Sequence, residues 1–373
     1  MHQSLFTRIA RIALNSNSLK CTQFGDSTNV FYFSVGRTYA LTLIVLVVLI
    51  NSCWRLGTLN AQSALGKIER LETEFDQLVP RDAKIEILAS GFTWTEGPVW
   101  VGGSDGHLLF SDIPRNSIFK WTQDNTISLF MSPSGYTGVT YYGLEPGSNG
   151  LFLDQHGRLV MCEHGDRRLS VLTEQGGKLT LADRYQGKRF NSPNDGALKS
   201  NGDIYFTDPP YGLPDRFTDR RREIPYCGVY RVDVDGQVTL LTKDIERPNG
   251  IAFSPDEKFL YIAQSNPEQA NWTAFPVNSD GTLEAGKEIR NVTGRVGVEP
   301  GLPDGMTVDS AGHLWASGPG GIYVMNPDGK LLGRLVTGER TSNCTFGPNG
   351  FLYVTADAYL CRVKTNSNGI ERH

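Results

Sequence analysis

The chain has 373 residues, a formal net charge of -4 and a pI near 5.9, so it carries no basic footprint for nucleic acid. Forty-one glycines and nineteen prolines favour a loop-rich all-β chain over a helical one. Six cysteines, Cys21, Cys53, Cys162, Cys227, Cys344 and Cys361, are too few and too scattered for a disulfide framework, and none has the C-x-x-C spacing of a zinc site.

The first element in chain order is apolar. From Tyr39 the run YALTLIVLVVLINSCW continues to residue 54, behind Arg37 and with Arg8, Arg11 and Lys20 upstream. At a rise of about 1.5 Å per residue it reaches about 24 Å, short of a hydrocarbon core of about 30 Å. That length suits a signal-peptide core or a short anchor. Its end, Leu49-Ile50-Asn51-Ser52-Cys53, resembles a bacterial lipoprotein cleavage box in which Cys53 becomes a lipidated N-terminus, with Asn51 an unusual occupant. The expectation is an exported protein, periplasmic, membrane-anchored or a lipoprotein, touching the membrane only through this segment. Residues 1–38 read as a leader, disordered or produced by a start placed too early. Residues 55–80, containing SALGKIERLETEFDQLVP, read as a charged helical spacer.

From residue 81 to 373 the chain repeats itself. A small-polar turn followed by a short alternating strand occurs as SDGHLLFSD, QHGRLVMCE, SNGDIYFTD, SPDEKFLYIAQ, SAGHLWASG and GPNGFLYVT. The turn residues Gly106, Gly157, Gly202, Asp256, Gly312 and Gly350 recur at intervals of roughly 40 to 55 residues, the mark of a propeller or another array. Each copy is followed by a second strand: SIFKW, RRLSVL, GVYRVD, NWTAFPV, GGIYVM and AYLCRV. Tight turns of this kind need residues that tolerate positive φ, and the alternation of Leu or Ile with aromatic and small residues matches strands packed between neighbouring sheets. A six-bladed β-propeller is therefore predicted over 81–373, with a β-sandwich array as its competitor. Cys162, Cys344 and Cys361 fall on predicted strands, where packing is their work.

Four acidic or amide residues hold equivalent places at strand entrances ahead of these turns. They are Glu96 in WTEGPVW, Asn194 in SPNDGALK, Asn249 in ERPNGIAFS and Asp304 in LPDGMTVD. A propeller gathers such positions around one end of its channel, and four oxygen donors, two of them charged, suit a hard divalent cation. Asn-Gly and Asp-Gly are also ordinary turn formers, so on the residues alone the turn reading and the cation reading both stand. The chain has no G-x-S-x-G elbow, no phosphate-binding loop and no dinucleotide fingerprint, and GPGG at 318–321 is a tight hairpin.

The set EGPVW, RFN with NDG, PNGIAFSPD and PDGMTVD, joined by CEHGDRR and TSNCTFG, resembles the gluconolactonase and regucalcin family, also called SMP-30, in its bacterial gluconolactonase branch. The resemblance spans about residues 85–365. It implies a six-bladed propeller with one catalytic divalent metal at the channel mouth, usually calcium and sometimes zinc or another ion such as manganese. The implied ligands are Glu96, Asn194, Asn249 and Asp304. The implied reaction is hydrolysis of a sugar lactone to the aldonic acid, with Asp304 as general base. His164, Arg189, Asn191 and Asp208 are expected to contact substrate, and Asp195 to support Asn194. The polar loop 211–228, with Arg216, Arg220, Arg221 and Arg222, either covers the mouth and favours polar or anionic substrates or is a solvated charge run. Two other functions fit the same scaffold: a paraoxonase-like lactonase or aryl esterase, and a binding propeller with a structural metal. No protein partner is identifiable.

Overall fold

The computed structural model describes residues 64–370. The leader 1–38, the apolar run 39–54 with its export and lipidation reading, and residues 55–63 of the spacer lie outside the described residues. Strand-turn-strand units repeat as the turn chemistry dictates: Gly157, Gly202, Gly312 and Gly350 all take positive φ, while in the fourth unit the left-handed residue is Glu257, next to Asp256.

Each unit is a four-stranded antiparallel sheet, and six of them form a ring. Blade 1 comprises Thr95–Val101, His107–Asp112, Ser117–Trp121 and Ile127–Met131. Blade 2 comprises Ser148–Leu153, Leu159–Glu163, Arg168–Leu172 and Lys178–Ala182. Blade 3 follows with Gly196–Leu198, Ile204–Asp208, Gly228–Val232 and Val238–Thr242, and blade 4 with Pro248–Phe253, Phe259–Gln264, Asn271–Pro276 and Lys287–Asn291. Blade 5 is Met306–Val308, Leu314–Gly318, Gly321–Met325 and Leu331–Val336. Blade 6 takes Thr341–Phe346, Phe351–Ala356 and Tyr359–Lys364 from the C-terminal end and Ile85–Ser90 from the N-terminal end. This last pairing, with Ile85 opposite Val363, closes the ring and removes the open sheet edge that a linear array would leave. The first strand of each blade touches the first strand of the next, all the way round and back to Thr95–Val101.

The spacer requires a correction. Among the described residues of the segment read as helical, Phe75–Leu78 forms a helical turn, and Lys67–Arg70 is a fifth strand on the outer edge of blade 5, pairing with Gly333–Val336. Tertiary packing overrides its charged, helix-favouring composition. Phe75 and Leu78 are buried in a cluster with Trp315, Leu332 and Leu335, so this stretch belongs to the propeller rather than to a tether. Apolar clusters fill each gap between blades: Val99, Leu109 and Ile118 of blade 1 meet Leu151 and Met161 of blade 2. Cys162, Cys227, Cys344 and Cys361 are buried free thiols. Among the described residues no helix is long and apolar enough to cross a membrane.

Candidate active site

The beginnings of the inner strands decide what faces the channel mouth. Blade 1 pairs Glu96 with Ser111 and then Val99 with Leu109, leaving Gly97 and Pro98 as a bulge; blade 2 skips between Ser148 and Leu151, and blade 4 between Pro248 and Ile251. Bulges of this kind re-aim side chains. The glycines after Glu96, Asn249 and Asp304 have a reason other than a hairpin turn. A Cβ on Gly97 would strike the carbonyl of Asn149, one on Gly250 the carbonyl of Asp304, and one on Gly305 the side chain of Asn343. At Gly97, Gly250 and Gly305 the neighbouring inner strand comes so close that only glycine fits.

Glu96, Asn149, Asn194, Asn249 and Asp304 thereby line one cavity of about 560 Å³. All four residues expected at a cation site are present, and Asn149 joins them. Asn194 and Asp304 hold the same register: the Asn194 N–H donates to Thr207 O at 2.9 Å, and the Asp304 N–H to Ser317 O at 3.1 Å. Asp195 then occupies the place of Gly305, one step deeper. It lines a second cavity further down the channel, its Oδ1 accepts the Gly196 N–H at 2.9 Å, and burial pushes its carboxyl up to about 7.

The hydrogen bonds on the floor tie down amide nitrogens and leave oxygens. Asn249 Nδ2 donates to Ser265 Oγ at 2.9 Å. Asn149 Nδ2 lies 3.3 Å from His164 Nε2. Asn194 Oδ1 is buried without a hydrogen-bond partner. Such an atom costs about 1–3 kcal/mol unless something meets it. Glu96 is held by the Gly97 N–H at 2.8 Å and Asn343 Nδ2 at 3.2 Å; burial and then the charge of Asp195 push its carboxyl up to about 8. Burial, followed by the charges of Glu96 and Asp195, holds the Asp304 carboxyl well above the usual carboxylate range. Two carboxylates that oppose one another's ionisation beside the unpaired Asn194 oxygen form a donor set that a divalent cation would satisfy. Among the described residues no three His, Cys, Asp or Glu side chains cluster as metal ligands. A cation here would draw on the amides.

The rim is formed by longer side chains. Arg216 pairs with Glu145 at 2.7 Å, and Arg340 pairs with Asp357 at 3.0 Å while lying over the Trp94 ring at 4.8 Å. Arg247 lies over the Phe217 ring at 4.8 Å. Of the arginines in the loop 211–228, Arg216 reaches the cavity. Arg221 pairs with Asp219, and Arg222 donates to Phe217 O and Asn191 Oδ1.

The four residues expected to touch substrate sit behind the cavity wall. Arg189 donates to the backbone oxygen of Asp166 at 2.6 Å. Asn191 donates through Nδ2 to Asp208 O and Tyr226 O, and Asp208 accepts the N–H groups of Asn191 and Ser192 at 2.8 Å each. These contacts brace the loop that delivers Asn194, so the RFN motif supports the site from outside it. His164 is fully buried; burial drives its ring down to about 3, which keeps it neutral under the Asn149 amide with Glu145 3.9 Å away. The reading missed Asn149, although its signal was present. It precedes Gly157 by the same interval that separates Asn194 from Gly202 and Asp304 from Gly312.

With this geometry in hand, the profile of the SMP-30/Gluconolactonase/LRE-like region matches residues 94–358. A gluconolactonase of Zymomonas mobilis is 39% identical over 317 residues, covering 82% of this chain and 88% of its own. The solved structure of a gluconolactonase from Xanthomonas campestris superposes with a TM-score of 0.71 at 31% identity, covering 83% of this chain and 99% of that one. Regucalcin of Agrobacterium tumefaciens, described as a calcium-binding protein, shares the fold at a TM-score of 0.60 and 19% identity, covering 76% and 94% of the two chains.

Proposed function

Because this chain belongs to the SMP-30/gluconolactonase/LRE-like family, we propose that it hydrolyses a lactone ring, with glucono-1,5-lactone as the reference substrate, to the open-chain hydroxy acid. The observation that carries this reading is the cavity floor itself: two carboxylates and three amides, from separate blades, on one wall of a 560 Å³ pocket. Held by Glu96, Asn194, Asn249 and Asp304, a divalent cation would polarise the lactone carbonyl as a Lewis acid. Calcium suits the all-oxygen, part-amide donor set; zinc and manganese are its competitors.

This chain's own groups account for the proton. Asp304 is the less restrained of the two carboxylates, its one side-chain partner being Asn249, whereas Glu96 is tied to both Gly97 and Asn343. Asp304 is therefore the group that takes a proton from the attacking water, and the proton then passes to the ring oxygen as the acyl C–O bond breaks. Asn149 offers an acceptor for substrate or water at the floor. Trp94 and Phe217 supply apolar wall against which a sugar ring can lie.

Activity is tested on glucono-1,5-lactone by continuous titration of the acid released. Treatment with EDTA is expected to abolish turnover, and added Ca²⁺, Zn²⁺ or Mn²⁺ to restore it. Full activity in metal-free protein would sink the cation's role. A panel of sugar and lipophilic lactones left untouched at every metal tried would sink the lactonase reading.

A further inference from the structure

Three guanidinium groups ring the cavity mouth, and their partners differ. Arg216 is neutralised by Glu145 and Arg340 by Asp357. Among the described residues Arg247 has neither a carboxylate within 4.0 Å nor a side-chain hydrogen bond; its contact is the Phe217 ring, 4.8 Å from the guanidinium carbon. The aromatic ring holds the guanidinium at the cavity lining, with no hydrogen-bond partner among the described residues for its N–H groups. That is how a planar fork is prepared for an oxyanion. Arg247 stands two residues before Asn249, about 7 Å along an extended chain. A six-carbon lactone placed with its carbonyl at the Asn249 end of the floor can set its far end beside this arginine.

Resting on the lactonase reading, we propose that the preferred substrate is an anionic lactone, bearing a carboxylate or phosphate remote from the ring carbonyl, and that Arg247 binds that anion. A neutral lactone gives the unpaired guanidinium nothing to bind. An anionic one gains a charge-assisted, two-pronged contact in a partly desolvated site. Arg247 touches the substituent rather than the reacting atoms, so it sets specificity.

The test compares kcat/KM for glucono-1,5-lactone, glucaro-1,4-lactone and 6-phosphogluconolactone in the metal-loaded wild type, Arg247→Gln and Arg247→Lys. The wild type is expected to favour at least one anionic lactone over the neutral one by about tenfold or more, with the two anions telling carboxylate from phosphate. In Arg247→Gln the anionic-to-neutral ratio is expected to fall by at least tenfold, mainly through KM, and Arg247→Lys to restore part of it. A wild type without anionic preference, or a ratio that survives Arg247→Gln, overturns the proposal. If no lactone is hydrolysed by the wild type, the lactonase reading fails by itself. Calorimetric binding of D-glucarate then decides the anion subsite: wild-type binding weakened tenfold in Arg247→Gln upholds it, and equal or absent binding overturns it. Thermal melts of both variants show that a lost ratio is not lost fold.

Discussion

The two ends of the propeller channel are made from the same inner strands and do opposite work. At the mouth they present Glu96, Asn149, Asn194, Asn249 and Asp304 to a cavity of about 560 Å³; further down they present Val99, Leu151, Ile251 and Met306 to one of about 290 Å³. The bulges divide the two, since Glu96 lies before the break in pairing and Val99 after it. Position relative to a two-residue irregularity decides whether a side chain enters chemistry or core. Asp195 and Asn343 mark the crossing point, polar residues that line the lower cavity and reach back toward Glu96. Polar groups in the mouth are left short of partners, a cost in stability that a ligand would relieve.

The largest expected effect breaks the comparison at the mouth. Asp304→Asn should lower kcat on glucono-1,5-lactone by at least about a hundredfold, the scale of losing a general base. In metal-free protein its melting temperature should match or exceed that of the wild type, because one of two opposed buried carboxylates has gone. An active variant would place the base elsewhere. A variant that melts well below the wild type would make Asp304 a structural residue and erase the contrast between the two ends.

The opposite outcome is expected lower in the channel. Leu151 is 5% exposed, packed with Val99, Leu109 and Met161 and bordering the smaller cavity. Leu151→Ala should cost about 2–5 kcal/mol, towards the low end because one side already faces a void. Denaturant unfolding reads the loss, and kcat per folded molecule should stay within about twofold. A large fall in kcat would mean that core packing and floor geometry are coupled across the bulge.

Much of this contrast was legible in the sequence. Six turns with strands behind them sufficed for the propeller, because hairpins are local and Gly157, Gly202, Gly312 and Gly350 must take positive φ. Ring closure was not legible: nothing local in KIEILAS says that Ile85–Ser90 will pair with a strand about 270 positions away, or that IER at 68–70 will edge blade 5. On the floor, Glu96, Asn194, Asn249 and Asp304 stood out by register, while Asn149 did so by a spacing that went unused. The RFN motif and Asp208 posed a different problem. Arg189, Asn191 and Asp208 are polar and close to Asn194 in sequence, but their hydrogen-bonding capacity goes into bracing a loop, which composition cannot distinguish from binding. Arg247 lay hidden for the converse reason, since its isolation from carboxylates is a fact of packing.

The smallest expected effect concerns the strand turns remote from the mouth. There His313 Nδ1 sits 3.0 Å from Asp309 Oδ2, and this contact raises the imidazole above its ordinary 6.5. Asp309, held by His313 and by Trp315 Nε1, is lowered. A raised histidine contributes stability that is complete below the unfolded value of 6.5 and is lost as pH climbs through the higher folded value. The lowered Asp309 contributes above its own unfolded value and loses that as pH falls through its folded one. The pair thus stabilises most in mildly acidic solution, and the wild type should lose melting temperature relative to His313→Gln as pH climbs above 6.5, by a few degrees at most. Because the pair follows the strand Met306–Val308 and does not line the cavity, the pH dependence of kcat should be the same in both proteins. A shift of the activity profile in His313→Gln would show that the turn end of the channel is wired to the mouth after all.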